Sequence, residues 1–368
     1  MKARKIALWT LVALVLSGTL FAVSVTEDFR RNGGSLSFEQ AQIGPGTSYT
    51  LDETEAAATA GIRHIEIRSD SPDVIITETD GDTTSVRLHG TVRTTAAASV
   101  PHLVMERNGD TLVFRLERAS TLSIGFHSSN LSLDVALPAA YAGMLTLSGA
   151  SSGIEMNAGH FEALSIQTAS GDVSLGSLTT EHALKIKTVS GEIRIDKAAC
   201  GDAEISSVSG DKTIGTLSVA STARLGATSG ATEAERISAR DVDATTVSGD
   251  MTIGSLNASQ ARFEGTSGAF RIEDMTGALA ATTVSGDMAF HFSDPGRDVV
   301  VKSTSGAVEL DFPDNTGLDV TAKSTSGSIN GSVSLAGGER KDHLWTGTSG
   351  DKSVRVEIGT VSGNILLD

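Results

Sequence analysis

The chain has almost none of the residues that small cross-linked folds and thick-cored folds depend on. One cysteine, Cys200, in 368 residues excludes an internal disulfide framework, and a lone cysteine is most often a small buried apolar residue. Six prolines and 4% aromatic side chains leave any core to small aliphatic groups. That favours a thin, repetitive interior over a thick globular one. Basic residues are also scarce, with 29 Lys and Arg against 45 Asp and Glu for a net charge of -16. Three of the 29, Lys2, Arg4 and Lys5, precede every acid, so the rest of the chain holds 26 basic and 45 acidic residues, or -19. No clustered basic face is visible, which argues against a nucleic-acid partner. The histidines are dispersed without H-x-x-H or H-E-x-x-H spacing, so neither a metal site nor any other cofactor is expected.

What is present begins with a membrane signal. The basic "MKARK" is followed by uncharged, mostly apolar residues from Ile6 to Val25, a run able to cross the roughly 30 Å hydrocarbon layer as a helix. The closing "LFAVSV" fits a signal-peptidase site poorly. Residues 1–25 are therefore expected to be an uncleaved, single-pass N-terminal anchor, with the basic flank in the cytoplasm and the bulk of the chain extracytoplasmic. Cleavage would instead leave a secreted or periplasmic protein. Residues 26–60, rich in Gly, Ser, Thr and acids, read as a spacer.

From residue 61 the pattern changes to period two. "IRHIEIRS", "DVIITET", "SVRLHGTV", "TLVFRLER" and "LSLDVALP" alternate apolar and polar residues, the mark of half-buried strands, and "TDGD" and "RNGD" supply turns between them. This stretch, 61–140, is expected to be an N-terminal β region joining a repeat array. Over 141–368 Ser-Gly recurs with its Gly at 153, 171, 191, 210, 230, 249, 268, 286, 306, 327, 350 and 363. Ten of the eleven spacings fall between 18 and 23 residues. A unit of about 19 residues cannot bury its own apolar face, but stacked copies can. The expected fold is all-β, a single-stranded parallel β-helix or β-solenoid, with the N-terminal transmembrane helix ahead of it. Gly171, Gly191, Gly210, Gly230, Gly249, Gly268, Gly286, Gly306, Gly327, Gly350 and Gly363 are expected at its corners, where φ > 0 or close backbone approach demands glycine.

The residue after each corner Gly runs Asp172, Glu192, Asp211, Ala231, Asp250, Ala269, Asp287, Ala307, Ser328, Asp351 and Asn364. Acid and Ala alternate strictly from 211 to 307. Stacked acids would sit about 5 Å apart, so alternation relieves like-charge repulsion. The competing reading is a cation ladder on Asp172, Glu192 and Asp211, though the Gly-Gly-x-Gly-x-Asp calcium repeat is absent. For catalysis the best set is Asp294, Asp298 and Asp311 with Arg297, which would suit a polysaccharide lyase or hydrolase on a β-helix. Solvated loops on an acidic surface account for the same residues.

The repeat breaks at "LAGGERKDHLW", 335–345, where Arg340, Lys341 and Trp345 form a candidate contact loop, unless Trp345 folds back onto the solenoid. The last coil, "TVSGNILLD", ends in mid-pattern without a polar cap. Open solenoid ends expose unpaired strand edges, which makes self-association at the C-terminal coil an expectation.

Together, "LSLDVALP" at 131–138, the repeats from Ser152 onward and "ELDFPDNTGLDVTAKSTSGSING" at 309–331 resemble the bacterial putative-adhesin family, domains of unknown function in envelope proteins. The resemblance covers roughly 61–368. It implies a parallel β-solenoid outside a membrane, with no defined catalytic residues. On that reading the chain is a non-enzymatic, membrane-anchored, adhesin-like binding or scaffold module that meets the membrane through residues 6–25 and an envelope protein or polysaccharide beyond it. A carbohydrate-active enzyme on the same scaffold is the alternative.

Overall fold

Alternation of side chains on either side of each Ser-Gly pair dictates the architecture. In "ALKIKTVSGEIRI" the inward residues are Leu184 and Ile186 before the corner and Ile193 and Ile195 after it, all at most 1% exposed, while Lys185, Lys187 and Arg194 point outward. Each coil thus supplies two strands on two faces joined at the corner, and successive coils pair in parallel. The computed structural model describes residues 46–95, 97–118 and 127–368, apart from the side chain of His127. Its strands hydrogen-bond into one continuous sheet wrapped into a solenoid. Among the described residues the one helical element is the 3₁₀ turn Ala97–Ser99, and no helix is long and apolar enough to cross a membrane. The expected anchor, Ile6 to Val25, lies outside the described residues.

Like residues stack into columns. One column on the face that precedes the corners runs Ile67, Leu147, Ile166, Ile186, Ile205, Leu225, Ala244, Phe263, Ala281 and Val301. Each large member contributes about 1.5–3 kcal/mol by leaving water. Where the column admits Phe263, its ring meets Phe270 at 5.3 Å and Phe290 at 5.6 Å. Gly265 makes room there, because a Cβ on it would lie 2.8 Å from the Phe270 ring.

Both ends depart from this regularity in the same way. At the N-terminal end the coil formed by His64–Ser69 and Asp73–Thr79 lies one layer in. Its strands pair with Met144–Gly149 and Ile154–Thr168 on one side and with Thr111–Glu117 and His127–Pro138 on the other. Antiparallel strands close that end: His102–Asn108 on Thr111–Glu117, Thr83–Thr94 on His127–Pro138, and Thr47–Ala58 on Thr83–Thr94. Part of the stretch expected to be a spacer is therefore sheet.

At the other end spatial order and chain order separate. The last coil, Val354–Thr360 and Ile365–Leu367, is not the outermost layer. Val354–Thr360 pairs with Met288–Ser303 on one edge and Leu318–Ser324 on the other, and Ile365–Leu367 pairs with Val308–Asp311 and Ile329–Gly331. The expectation of an open final coil is corrected: both of its edges are hydrogen-bonded within the chain, and Leu367 is fully buried. The outer layer is Leu318–Ser324, closed by antiparallel pairing with Leu344–Thr348.

Candidate functional site

The corner column carries the polar side chains that recur from coil to coil. Its glycines have ordinary φ values except Gly350, so left-handed backbone is not the reason for them. Close approach is: a Cβ on Gly210 would lie 1.9 Å from Gly191 O, and one on Gly249 2.1 Å from Gly230 O. Near the C-terminal end the column runs Gly306, Gly363, Gly327, because a Cβ on Gly363 would lie 1.9 Å from Gly306 O and one on Gly327 2.0 Å from Gly363 O. Gly350 stands outside the column, at φ +51 beside Gly317. The eleven expected corner glycines are thus ten corner glycines and one loop glycine.

Where a hydroxyl locks the corner it lies three residues before the Gly, a place taken by Ala227 and Gly265 at Gly230 and Gly268. Thr246 Oγ1 accepts the Gly249 N–H at 2.9 Å, Ser303 Oγ accepts that of Gly306 at 2.9 Å, and Thr360 Oγ1 accepts that of Gly363 at 2.9 Å. These hydroxyls are buried, whereas the Ser beside each corner Gly is exposed, and the Oγ of Ser229, Ser285 and Ser305 reaches the previous coil, Ser285 donating to Thr266 O at 3.3 Å. The Thr-x-Ser-Gly spacing was the available signal for the inner hydroxyl.

The exposed acids have a structural use that repulsion does not capture. Asp211 Oδ1 accepts the Ala231 N–H at 2.8 Å, Asp250 Oδ1 that of Ala269 at 2.9 Å, and Asp287 Oδ1 that of Ala307 at 2.8 Å. Each carboxylate caps the following coil, whose own side chain there is a methyl group. The final coil obeys the same rule in its spatial position: Asn364 Oδ1 accepts the Ser328 N–H at 3.0 Å. Read in spatial order, the residues two before each Gly also alternate: Val208, Thr228, Val247, Thr266, Val284, Thr304, Val361, Thr325. Chain order breaks both alternations after Ala307, and the inserted coil restores them. Asp172 and Asp211 are likewise taken up by capping, Asp172 toward Glu192 N, and among the described residues no group of three or more His, Cys, Asp or Glu could hold a metal ion.

The other expected sites disperse. Trp345 is 3% exposed and pairs with Ala322 at the end of the core, with the Arg340 guanidinium 4.0 Å above its ring. The loop is a short hairpin of Arg340–Lys341 and Leu344–Thr348, and Lys341 is ion-paired to Glu339. Trp345 thus folds back onto the solenoid and is not an exposed anchor. Asp294, Arg297 and Asp298 share the long strand Met288–Ser303, and Asp311 ends Val308–Asp311, where it meets His291 Nδ1 at 3.3 Å. No hydrogen bond or ion pair joins those three acids and Arg297 to one another among the described residues. Gly149-Ala150-Ser151-Ser152-Gly153 carries the letters of a nucleophile elbow centred on Ser151, but it links two strands rather than a strand and a helix, and the Ser151 N–H donates to Asp70 O at 3.0 Å in an ordinary coil-to-coil bond.

The model of Toastrack DUF4097 matches twice, over residues 62–226 and 218–368. The chain belongs to this family. Its two toastrack segments meet without a break in the ladder, since Leu225 pairs with Ile205 on one side and Ala244 on the other. Among solved structures the chain is similar to a putative cell adhesion protein from Clostridium sporogenes, at 10% identity over 87% of this chain and 99% of that one, with a TM-score of 0.23. It is also similar to a putative adhesin from Parabacteroides merdae, at 11% identity over 71% and 92%, with a TM-score of 0.31. At these values neither likeness carries an argument about function. No curated protein matches the sequence.

Two buried groups in this toastrack chain remain. Cys200 is 7% exposed, and burial, with Asp202 adding to it, pushes its thiol up to about 12, far from a reactive thiolate. Lys212 occupies a core column between Ile193 and Thr232, 1% exposed. Its Nζ donates to Ser207 Oγ at 2.7 Å, and burial draws its pKa down to about 8. The Thr232 hydroxyl in the next coil has no hydrogen-bond partner among the described residues. The pair is sealed from solvent and can serve no substrate.

Proposed function

We propose that the chain is a non-enzymatic, adhesin-like binding or scaffold module of the bacterial envelope, anchored through residues 6–25 with its solenoid extracytoplasmic. One observation carries the reading: the acid column, the richest source of chemistry in the sequence, is spent on capping coil after coil, as Asp211, Asp250 and Asp287 do. What remains is a rigid ladder with outward side chains repeated at about 4.8 Å, a geometry suited to holding or spacing extended partners. The test is cosedimentation of the full chain, in detergent micelles, with isolated bacterial cell-wall fragments, alongside a reducing-end assay on the same polysaccharide. Saturable sedimentation without new reducing ends is the expected result. Release of reducing ends, or no saturable binding, contradicts the proposal.

A further inference from the structure

The inserted coil creates a surface that breaks the acidic character of the molecule. Across five strands the outward residues in register are Lys302, Gly359, Lys323, Leu344 and Lys341. The row crosses four parallel and antiparallel pairings, so its lysines lie on every second strand, about 10 Å apart. Gly359 leaves bare backbone between the first two, because a Cβ there would meet nothing within 4 Å. The result is a groove of about 610 Å³ lined by Lys302, Lys323, His343, Leu344, Gly359 and Val361, among others.

The charges in it are open to a ligand in different degrees. The Lys323 side chain has no ion pair or hydrogen bond among the described residues. Lys302 is 3.4 Å from Glu357, which also meets Arg355, and Lys341 is paired to Glu339. All three are exposed ion-pair arrangements, which contribute little and exchange readily. The His343 Nδ1–H donates to Gly327 O, 2.9 Å away, which fixes its ring at the rim. Val361, 47% exposed, adds an apolar edge.

We propose that this groove binds an acidic glycan, a polymer of uronate type laid along the rod across the lysine row. The inference rests on the envelope-binding reading above and gives that reading a site and a ligand class. Spacing decides the class. Lysines about 10 Å apart stand a Debye length from one another and act as separate point charges, so they suit a polymer with sparse, recurring carboxylates. Duplex DNA presents a charge about every 1.7 Å and rewards dense cation clusters. An anionic membrane presents a flat sheet of charge that meets the acidic surface around the groove as well as the lysines, whereas a single polymer chain can follow the lysine row alone.

The experiment uses the full chain in detergent micelles, with alginate as the polyuronate, dextran as the neutral polymer, and duplex DNA and phosphatidylserine vesicles as the other polyanions. Alginate should bind, weaken with added salt, and bind about ten-fold or more weakly to the chain carrying Lys302→Glu and Lys323→Glu. Arg224→Glu, an exposed position in the middle of the rod, should bind as the original does, and equal thermal midpoints for all chains show that the folds are intact. Equal alginate binding by the double variant, no alginate binding by the original, or tighter binding to DNA or vesicles overturns the inference. Cosedimentation with cell-wall fragments that survives in the double variant would leave the envelope-binding reading standing while the groove falls.

Discussion

The coils between Val173 and Thr283 and the coils after Val308 are built from one code but assembled differently. In the first region chain order and spatial order coincide, and each corner glycine follows the previous one along the chain, as Gly210, Gly230 and Gly249 do. In the second the chain lays down an outer layer, Leu318–Ser324 with Ile329–Gly331, and then returns to fill the gap behind it. The corner code tells the two apart. Capping residues alternate with methyl-bearing ones only if Asn364 stands between Ala307 and Ser328. Local stapling and global order are thus set by the same few side chains, a consistency across levels of the kind that favours one fold over its competitors.

The largest effect that can break the comparison is a methyl group in the column. Gly363→Ala would place a Cβ 1.9 Å from the Gly306 carbonyl oxygen, a backbone clash with no flexible side chain to yield. A loss of about 4 kcal/mol or more is expected, with loss of hydrogen-exchange protection in Leu318–Ser324, whose parallel partner is the inserted coil. Gly350→Ala, at φ +51 outside the column, should cost only about 1–2 kcal/mol, the strain of an L residue in left-handed backbone. Equal losses in denaturant titration would show that the two glycines share one role.

A second variant sharpens the contrast within the regular region. Lys212 stands where other coils place Ile193, Met251 or Met288. In the folded chain it loses its proton near pH 8, against 10.5 in the unfolded chain. Between those values the unfolded state binds more protons, so the contribution of this group to stability rises with pH from about 8 to 10.5. Below pH 8 the cost of holding the buried charge is fully present, on the order of 3 kcal/mol at a tenfold affinity change per 1.4 kcal/mol. Lys212→Met should stabilise the chain by about 1–3 kcal/mol at pH 7. The gap between the two chains should narrow as pH climbs to 10.5, and a gap independent of pH would contradict the assignment.

The smallest effect concerns capping. Asp250→Ala removes the acceptor for the Ala269 N–H and should cost about 1 kcal/mol, whereas Asp250→Asn keeps a carbonyl oxygen, as Asn364 does, and should cost less. If relief of repulsion governed the column, both substitutions would be neutral or stabilising.

Much of this was legible in the residues. Period-two alternation and the Ser-Gly spacing dictate parallel coils and their inward faces, because burial on a pleated strand has only two choices of side. Insertion of the last coil was harder to read, since pairing between distant segments leaves no local trace. Its signs were Asn364 and Val361, which fit the alternation in space and not in chain order. Trp345 and Arg340 left two readings open for a different reason: an aromatic beside cations describes an exposed contact and a stacked core plug equally well. Lys212 sat in plain view at an apolar position of "DKTIG", where the period-two pattern already called for a hydrophobic side chain.

The insertion itself can be tested by disulfide trapping. Residues 304, 361 and 325 are consecutive along the outer corner, since Ser362 N donates to Thr304 O and Ser326 N to Val361 O, each across one layer. Adjacent layers lie about 4.8 Å apart, within the span a disulfide bridges, and two layers exceed it. A chain with Thr304→Cys and Val361→Cys should cross-link under mild oxidation, while one with Thr304→Cys and Thr325→Cys should not. Cross-linking of the second pair and not the first would mean that the coils stack in chain order, and the central claim would fail.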